Sequence, residues 1–188
     1  LIAGKQGAAK WRMLSAAPDS WRHQVTSQAM VAAADETKAD EERIAAMGLL
    51  GKGGVGLAAK LLGADISLPL QAAAISMLGR MDEGNQLLDA WQWLGPAGRE
   101  TAEGVLLVRE TSVNQLLAGL EAGKMQPAEL SAGVRQRLLM HKSASVQKRA
   151  TKLFQDVDTH DRARVVNEFK AALSIKGDLR KGRDHFIA

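Results

Sequence analysis

Cysteine is absent from this 188-residue chain, which excludes disulfides, thiolate metal sites, thiol catalysis and covalent haem attachment within it. Tyrosine is absent too, and aromatic residues make up only 4%. Strands favour β-branched and aromatic side chains, so their scarcity weighs against a sheet. Long apolar runs are also lacking. The greasiest window, Leu68–Leu78, falls short of the roughly 18 residues of a membrane-spanning helix and is interrupted by Pro69, Gln71 and Ser76. Residues 1–17 show no basic start, no apolar signal-peptide core and no initiator Met. The chain is expected to be a piece of a longer protein.

What is present points to helices. Hydrophobic residues are 46% of the sequence, mostly Ala, Leu, Val, Ile and Met, accompanied by Gln, Glu, Lys and Arg. Most of these are strong helix formers, so the expected class is all-α. The length suits one domain or one elongated repeat array with a sizeable core. Charge is uneven: residues 1–133 hold 12 Lys and Arg against 15 Asp and Glu, and residues 134–188 hold 13 against 6. The +7 balance of the second stretch suits an anionic partner or, more simply, a solvated helix face and linker.

The chain repeats itself. Arg43–Lys52 aligns with Gln71–Arg80, then with Glu100–Arg109, and more loosely with Gly133–Lys142, at offsets of 28, 29 and 33 residues. A second helical segment follows each block: Val55–Leu62, Asn85–Leu94, Val113–Leu120 and Val146–Phe154. Apolar residues fall at i, i+3 and i+4, which places them on one helical face. Breakers stand between the pairs at Gly63, Pro69, Gly95-Pro96, Gly123 and Pro127. The blocks end in Lys52, Arg80, Arg109 and Lys142, as the negative end of a helix dipole prefers. An earlier pair is expected at Gly7–Ala16 and Trp21–Ala34. One hairpin cannot bury its stripe alone, so stacking into an α-solenoid of HEAT-like antiparallel hairpins is expected over residues 1–157. An irregular helical bundle is the alternative. A terminal helix over 158–175 follows, then a linker or the start of another domain over 176–188.

Few constellations carry chemistry. Gly51-Lys-Gly-Gly-Val-Gly-Leu-Ala-Ala-Lys60 resembles the start of a deviant phosphate-binding loop, but Leu57 and Ala58 stand where Lys and Ser or Thr are needed. The glycines fit a hairpin turn. His23, His141, His160 and His185 lie far apart, and Asp156–Asp161 reads as a helix cap at Asp158 or Thr159, not a calcium loop. No catalytic, cofactor-binding or metal-binding residue is expected. Candidate partner contacts are Trp91 and Trp93, two apart and so on different faces, with Arg135, Arg137 and Lys148 at the basic end.

The stretch Arg162–Leu173, followed by Lys176-Gly-Asp-Leu-Arg-Lys-Gly-Arg-Asp-His-Phe186, resembles the lead-in to a cytochrome c domain in the modular dehydrogenase-like haem proteins of planctomycete-type bacteria. Gly177-Asp178, Gly182 and Phe186 match that family's opening pattern. The resemblance implies a β-propeller, HEAT-like repeats and a haem c domain in one exported protein of the periplasm or cell envelope. The haem would lie beyond Ala188, since no residue here matches its ligands. The expected function is thus a non-catalytic scaffold or protein-interaction module that spaces flanking domains. A DNA-binding HEAT-like protein of the alkylpurine glycosylase type is the alternative, disfavoured because the bases gather at one end. The parent gene is expected to encode Cys-x-x-Cys-His within about ten codons after Ala188, making the longer, haem-matured protein red. Sequencing the gene checks this, and continued helical repeats there would refute it.

Overall fold

The computed structural model describes residues 18–155 and Lys170, and every described element is helical. The α-helices are α1 (Asp19–Ala34), α2 (Asp40–Met47), α3 (Val55–Lys60), α4 (Leu68–Arg80), α5 (Gly84–Asp89), α6 (Pro96–Leu106), α7 (Glu110–Glu121) and α8 (Ala132–Leu139). A further helix, α9, covers 144–155. Three short 3₁₀ turns, Lys52–Gly54, Trp91–Trp93 and Pro127–Glu129, sit among them. The expected helix at Gly7–Ala16 and everything expected of 156–188, apart from Lys170, lie outside the described residues.

Local chemistry sets the boundaries. Pro69 and Pro96 stand in the first turns of α4 and α6, where a missing N–H costs nothing. Three acids, Asp40, Glu41 and Glu42, open α2 at the positive end of its dipole. Helix α7 closes with Gly123 at φ 70°, where the Lys124 N–H reaches Gly119 C=O at 3.0 Å and the Gly123 N–H reaches Leu120 C=O at 3.1 Å. Helix α4 closes in the same way, with Asp82 at φ 62° and the Glu83 N–H on Leu78 C=O at 2.9 Å. Both are left-handed helix closures, and Asp is one of the few non-Gly residues that adopt this conformation at modest cost.

Two expectations need correction. The predicted helix Asn85–Leu94 is interrupted: α5 ends at Asp89 and the chain turns through Trp91–Trp93. Arg99 Nε donates to two carbonyls at this turn, that of Trp91 at 3.3 Å, which also accepts the Leu94 N–H, and that of Leu94 at 3.0 Å. The bases closing the repeat blocks do not all end their own helices. Arg80 does, but Lys52, Arg109 and Lys142 lie past theirs, in the turns. Arg109 instead donates from Nη1 to the Arg80 carbonyl at 3.1 Å, at the end of α4.

One apolar cluster runs from Ala29 to Phe154 through all the helices. Helix α4 lies at its centre, packed against α2, α3, α5 and α6, while α5 packs on α7. The α4–α6 contact is close and parallel. A Cβ on Gly98, early in α6, would lie 2.4 Å from Gln71 Oε1, early in α4; one on Gly79, late in α4, would lie 2.1 Å from Val105 Cγ1, late in α6. The α5–α7 pair is parallel too, with a Cβ on Gly84 meeting Gln115 and one on Gly119 meeting Leu88. In both of these pairs the two helices run side by side in the same direction.

Gly79→Val should destabilise the protein by about 2 kcal/mol or more, because the interface has no room for the added methyls. Combining it with Val105→Ala should recover at least half of that loss. Gly53→Ala, whose Cβ would meet nothing within 4 Å, should stay within about 0.5 kcal/mol of the parent. Urea melts of the four proteins check the set.

Candidate functional site

The residues singled out from sequence do not converge. Trp91 is 1% exposed and belongs to the core, whereas Trp93 is 59% exposed at the end of the same turn. The two-residue offset has sent one ring inward and the other to solvent. Arg135, half-buried on α8, is engaged, donating from Nη1 to the Leu130 carbonyl at 2.9 Å. Arg137 on α8 and Lys148 on α9 are exposed and make no ion pair among the described residues. Of the five, only Trp93, Arg137 and Lys148 are free to meet a partner.

Arginine is used here chiefly to close the ends of neighbouring elements. Arg43, buried on α2, donates from Nε to the Ala33 carbonyl at the end of α1 (3.2 Å). Arg99, Arg109 and Arg135 do the same for Trp91 and Leu94, Arg80, and Leu130. Terminal carbonyls have no intrahelical partner, and a guanidinium satisfies them while meeting the negative end of the dipole. Arg80 itself keeps Nε and Nη2 buried without a hydrogen-bond partner, and burial pushes its guanidinium down from the ordinary value.

Acidic groups form the matching half of this network. Asp82 Oδ1 accepts from Thr111 Oγ1 at 2.8 Å and from buried Ser112 Oγ at 3.0 Å, and the Asp82 carbonyl accepts from Gln115 Nε2 at 3.2 Å. One residue of the α4–α5 turn thus holds the first turn of α7, where a carboxylate is favoured. Asp40 bonds Ser67 at the start of α4. Glu121 takes two bonds from Arg149, each 2.8 Å, while Arg149 Nη1 also reaches Asn114 Oδ1 at 3.0 Å. Those bonds hold the Glu121 carboxyl below its usual value and raise Arg149.

Two clefts open on this framework. One, of about 450 Å³, is lined by Thr26, Ser27, Met30 and the loop Leu50–Gly54. The loop is the glycine-rich stretch between α2 and α3, and Gly54 has a packing reason: a Cβ would lie 2.4 Å from Met77 Cε. The other, of about 680 Å³, is lined by Leu94, Pro96, Arg99, Glu100, Glu103, Glu129, Leu130 and Ser131. Its chemistry is built. The Arg99 guanidinium lies 5.5 Å from the Trp91 ring centroid, a cation–π distance, and its Nη1 reaches Glu129 Oε1 at 3.2 Å. Glu129 Oε2 accepts the Gln126 N–H at 2.7 Å. Glu103 is 7% exposed and accepts the Ser131 N–H at 2.7 Å, at the start of α8.

Sequence reasoning missed Asp82, Arg99, Glu103 and Glu129. Their signal was a polar partner one repeat away, visible only once the repeat offset is applied to polar residues as well as apolar ones. Among the described residues no group of three His, Asp or Glu is arranged to hold a metal ion. Comparison with protein-family models, with curated proteins and with solved structures finds no match.

The two tryptophans should separate cleanly in experiment. Trp91→Ala is expected to cost about 3–5 kcal/mol of stability, and Trp93→Ala no more than about 0.5 kcal/mol. Iodide quenching should fall markedly in the Trp93→Ala protein. Equal destabilisation by the two substitutions would contradict the assignment of core and surface.

Proposed function

We propose that this chain is a HEAT-like α-solenoid segment that works as a non-catalytic scaffold, spacing flanking domains or gripping a protein partner. One observation carries the solenoid reading. Among the described residues, the long-range side-chain hydrogen bonds all span 27 to 35 residues, one repeat period, and none reaches two periods. Polar contact confined to the next repeat is what a quasi-one-dimensional array produces. The parallel pairs α4/α6 and α5/α7 support the same reading. The scaffold role rests on where the polar chemistry goes: the arginines and carboxylates described above hold helices to helices. The haem c setting rests on the resemblance of residues 162–186 alone.

Hydrogen exchange tests the array. Leu116→Ala in α7 should lower protection most in α5–α9 and progressively less toward α1, because a stacked array transmits a local loss only through its neighbours. Uniform loss along the chain would favour a single-core bundle. Duplex DNA tests the partner class. At about 150 mM salt it should bind no better than roughly 10⁻⁴–10⁻⁶ M. Submicromolar binding abolished by Arg135→Ala, Arg137→Ala and Lys148→Ala together would replace the scaffold with the DNA-binding alternative.

A further inference from the structure

Helix α9 carries positive charge that the fold does not use. Residues 134–155 hold six Lys and Arg and no Asp or Glu, whereas 156–188 hold seven against six. Nearly all of the basic excess of the second stretch therefore belongs to α8, α9 and the turn between them. Val146, Ala150 and Phe154 are buried and fix how α9 lies. Lys148 and Lys152 each follow a buried residue by two positions, which turns them to the opposite side, and both are exposed. They stand one turn apart, a like-charge spacing that weakens a helix, and neither has an ion pair among the described residues. Lys142, also exposed and unpaired there, lies just before the positive end of α9, whose first turn has no acid. Helix α2, by contrast, opens on three. Nearby acids are already claimed. Glu121, on α7 beside α9, takes two bonds from Arg149, and Asp89 on α5 pairs with Lys124. Lys152 acts on Glu121 as well, but one carboxylate cannot balance two bases.

We infer that the outer face of α9 docks a segment of a partner protein rich in Asp and Glu. Charge complementarity selects the occupant, and the spacing suits an extended chain. Alternate residues of such a chain stand about 7 Å apart, close to the roughly 6 Å between residues one helical turn apart. Two of its carboxylates would meet Lys148 and Lys152, and a third Lys142. Other anionic partners fit this face less well. It exposes no apolar side chain larger than that of Ala144, so a membrane would gain no insertion from it. A duplex laid across α9 and onto α7 would bring phosphates to Glu110 and Glu121, both exposed. The inference deepens the scaffold reading and rests on it, naming the chemistry of the partner.

The probes are the capped peptide Ala-Glu-Ala-Glu-Ala-Glu-Ala and its lysine counterpart, titrated into the intact ¹⁵N-labelled chain. The acidic peptide should shift amide resonances within 142–152 and weaken as salt rises. It should bind at least about tenfold less tightly to the double variant Lys148→Glu with Lys152→Glu. Neither lysine makes a hydrogen bond or ion pair among the described residues, so that variant should keep the parent's melting curve. Lys60→Glu, exposed on α3, should bind as the parent does, and Glu121→Gln, which removes the carboxylate beside the face, should bind more tightly. The lysine peptide should shift nothing there. Equal response to both peptides, shifts centred elsewhere, or binding unchanged in the double variant would each overturn the inference. So would submicromolar binding of duplex DNA at about 150 mM salt, or co-sedimentation with phosphatidylserine vesicles in that buffer, if the double variant abolished it. The hydrogen-exchange gradient is independent of the peptides, so failure here and failure of the array reading are distinguishable.

Discussion

Helix α4 lies close against α6 where Gly79 presents no side chain to Val105 and Gly98 none to the tip of Gln71. Either Cβ would fall closer than 2.5 Å to an atom of the opposing helix. That approach brings Leu70, Ala74, Met77 and Leu78 into a fully covered core and lets α4 touch four other helices. It also fixes the stagger. With α4 and α6 in parallel register, Arg109 arrives at the Arg80 carbonyl, and Thr111 and Ser112 arrive at Asp82. The bonds of Arg109, Thr111 and Ser112 thus accompany the close α4–α6 packing.

Given that stagger, most charged groups have structural employment. Four arginines close the ends of neighbouring elements, and Asp40, Asp82, Glu103 and Glu121 each bond a residue 27 to 30 positions further along the chain, at or in a helix that is not the next one. Several of these bonds are half-exposed, where an isolated ion pair contributes little. Their value lies in direction: those of Asp40, Asp82, Glu103, Arg109 and Glu121 span 27 to 30 residues and help specify a single register between otherwise similar Ala- and Leu-rich helices. The groups left over are then informative. Trp93, Arg137, Lys148 and Glu100 are available to solvent and to partners.

Helical class and the positions of most helices were legible because the signals are local. Periodicity placed α4, α7 and α9, and the breakers at Pro69, Pro96, Gly123 and Pro127 sit at the ends where they were expected. The repeat offset was legible in the apolar positions. Less legible was the break at Ala90, because nothing in Asn85–Leu94 forbids a continuous helix. At the break the Arg99 Nε–H, from later in the chain, is shared between the Trp91 and Leu94 carbonyls.

The sequence by itself determined an all-helical chain with no thiol chemistry, paired amphipathic segments at a period near thirty, and a basic second stretch. Propensity, face periodicity and composition act within a few turns of helix, so one sequence is enough to read them. Only the tertiary structure decided which tryptophan is core, which bases close a neighbour's helix, and which carboxylates meet in one cleft. Those outcomes depend on the distance and stagger between helices about thirty residues apart. The distance and stagger are set by where glycine lets two backbones meet, a property of the pair and not of either segment.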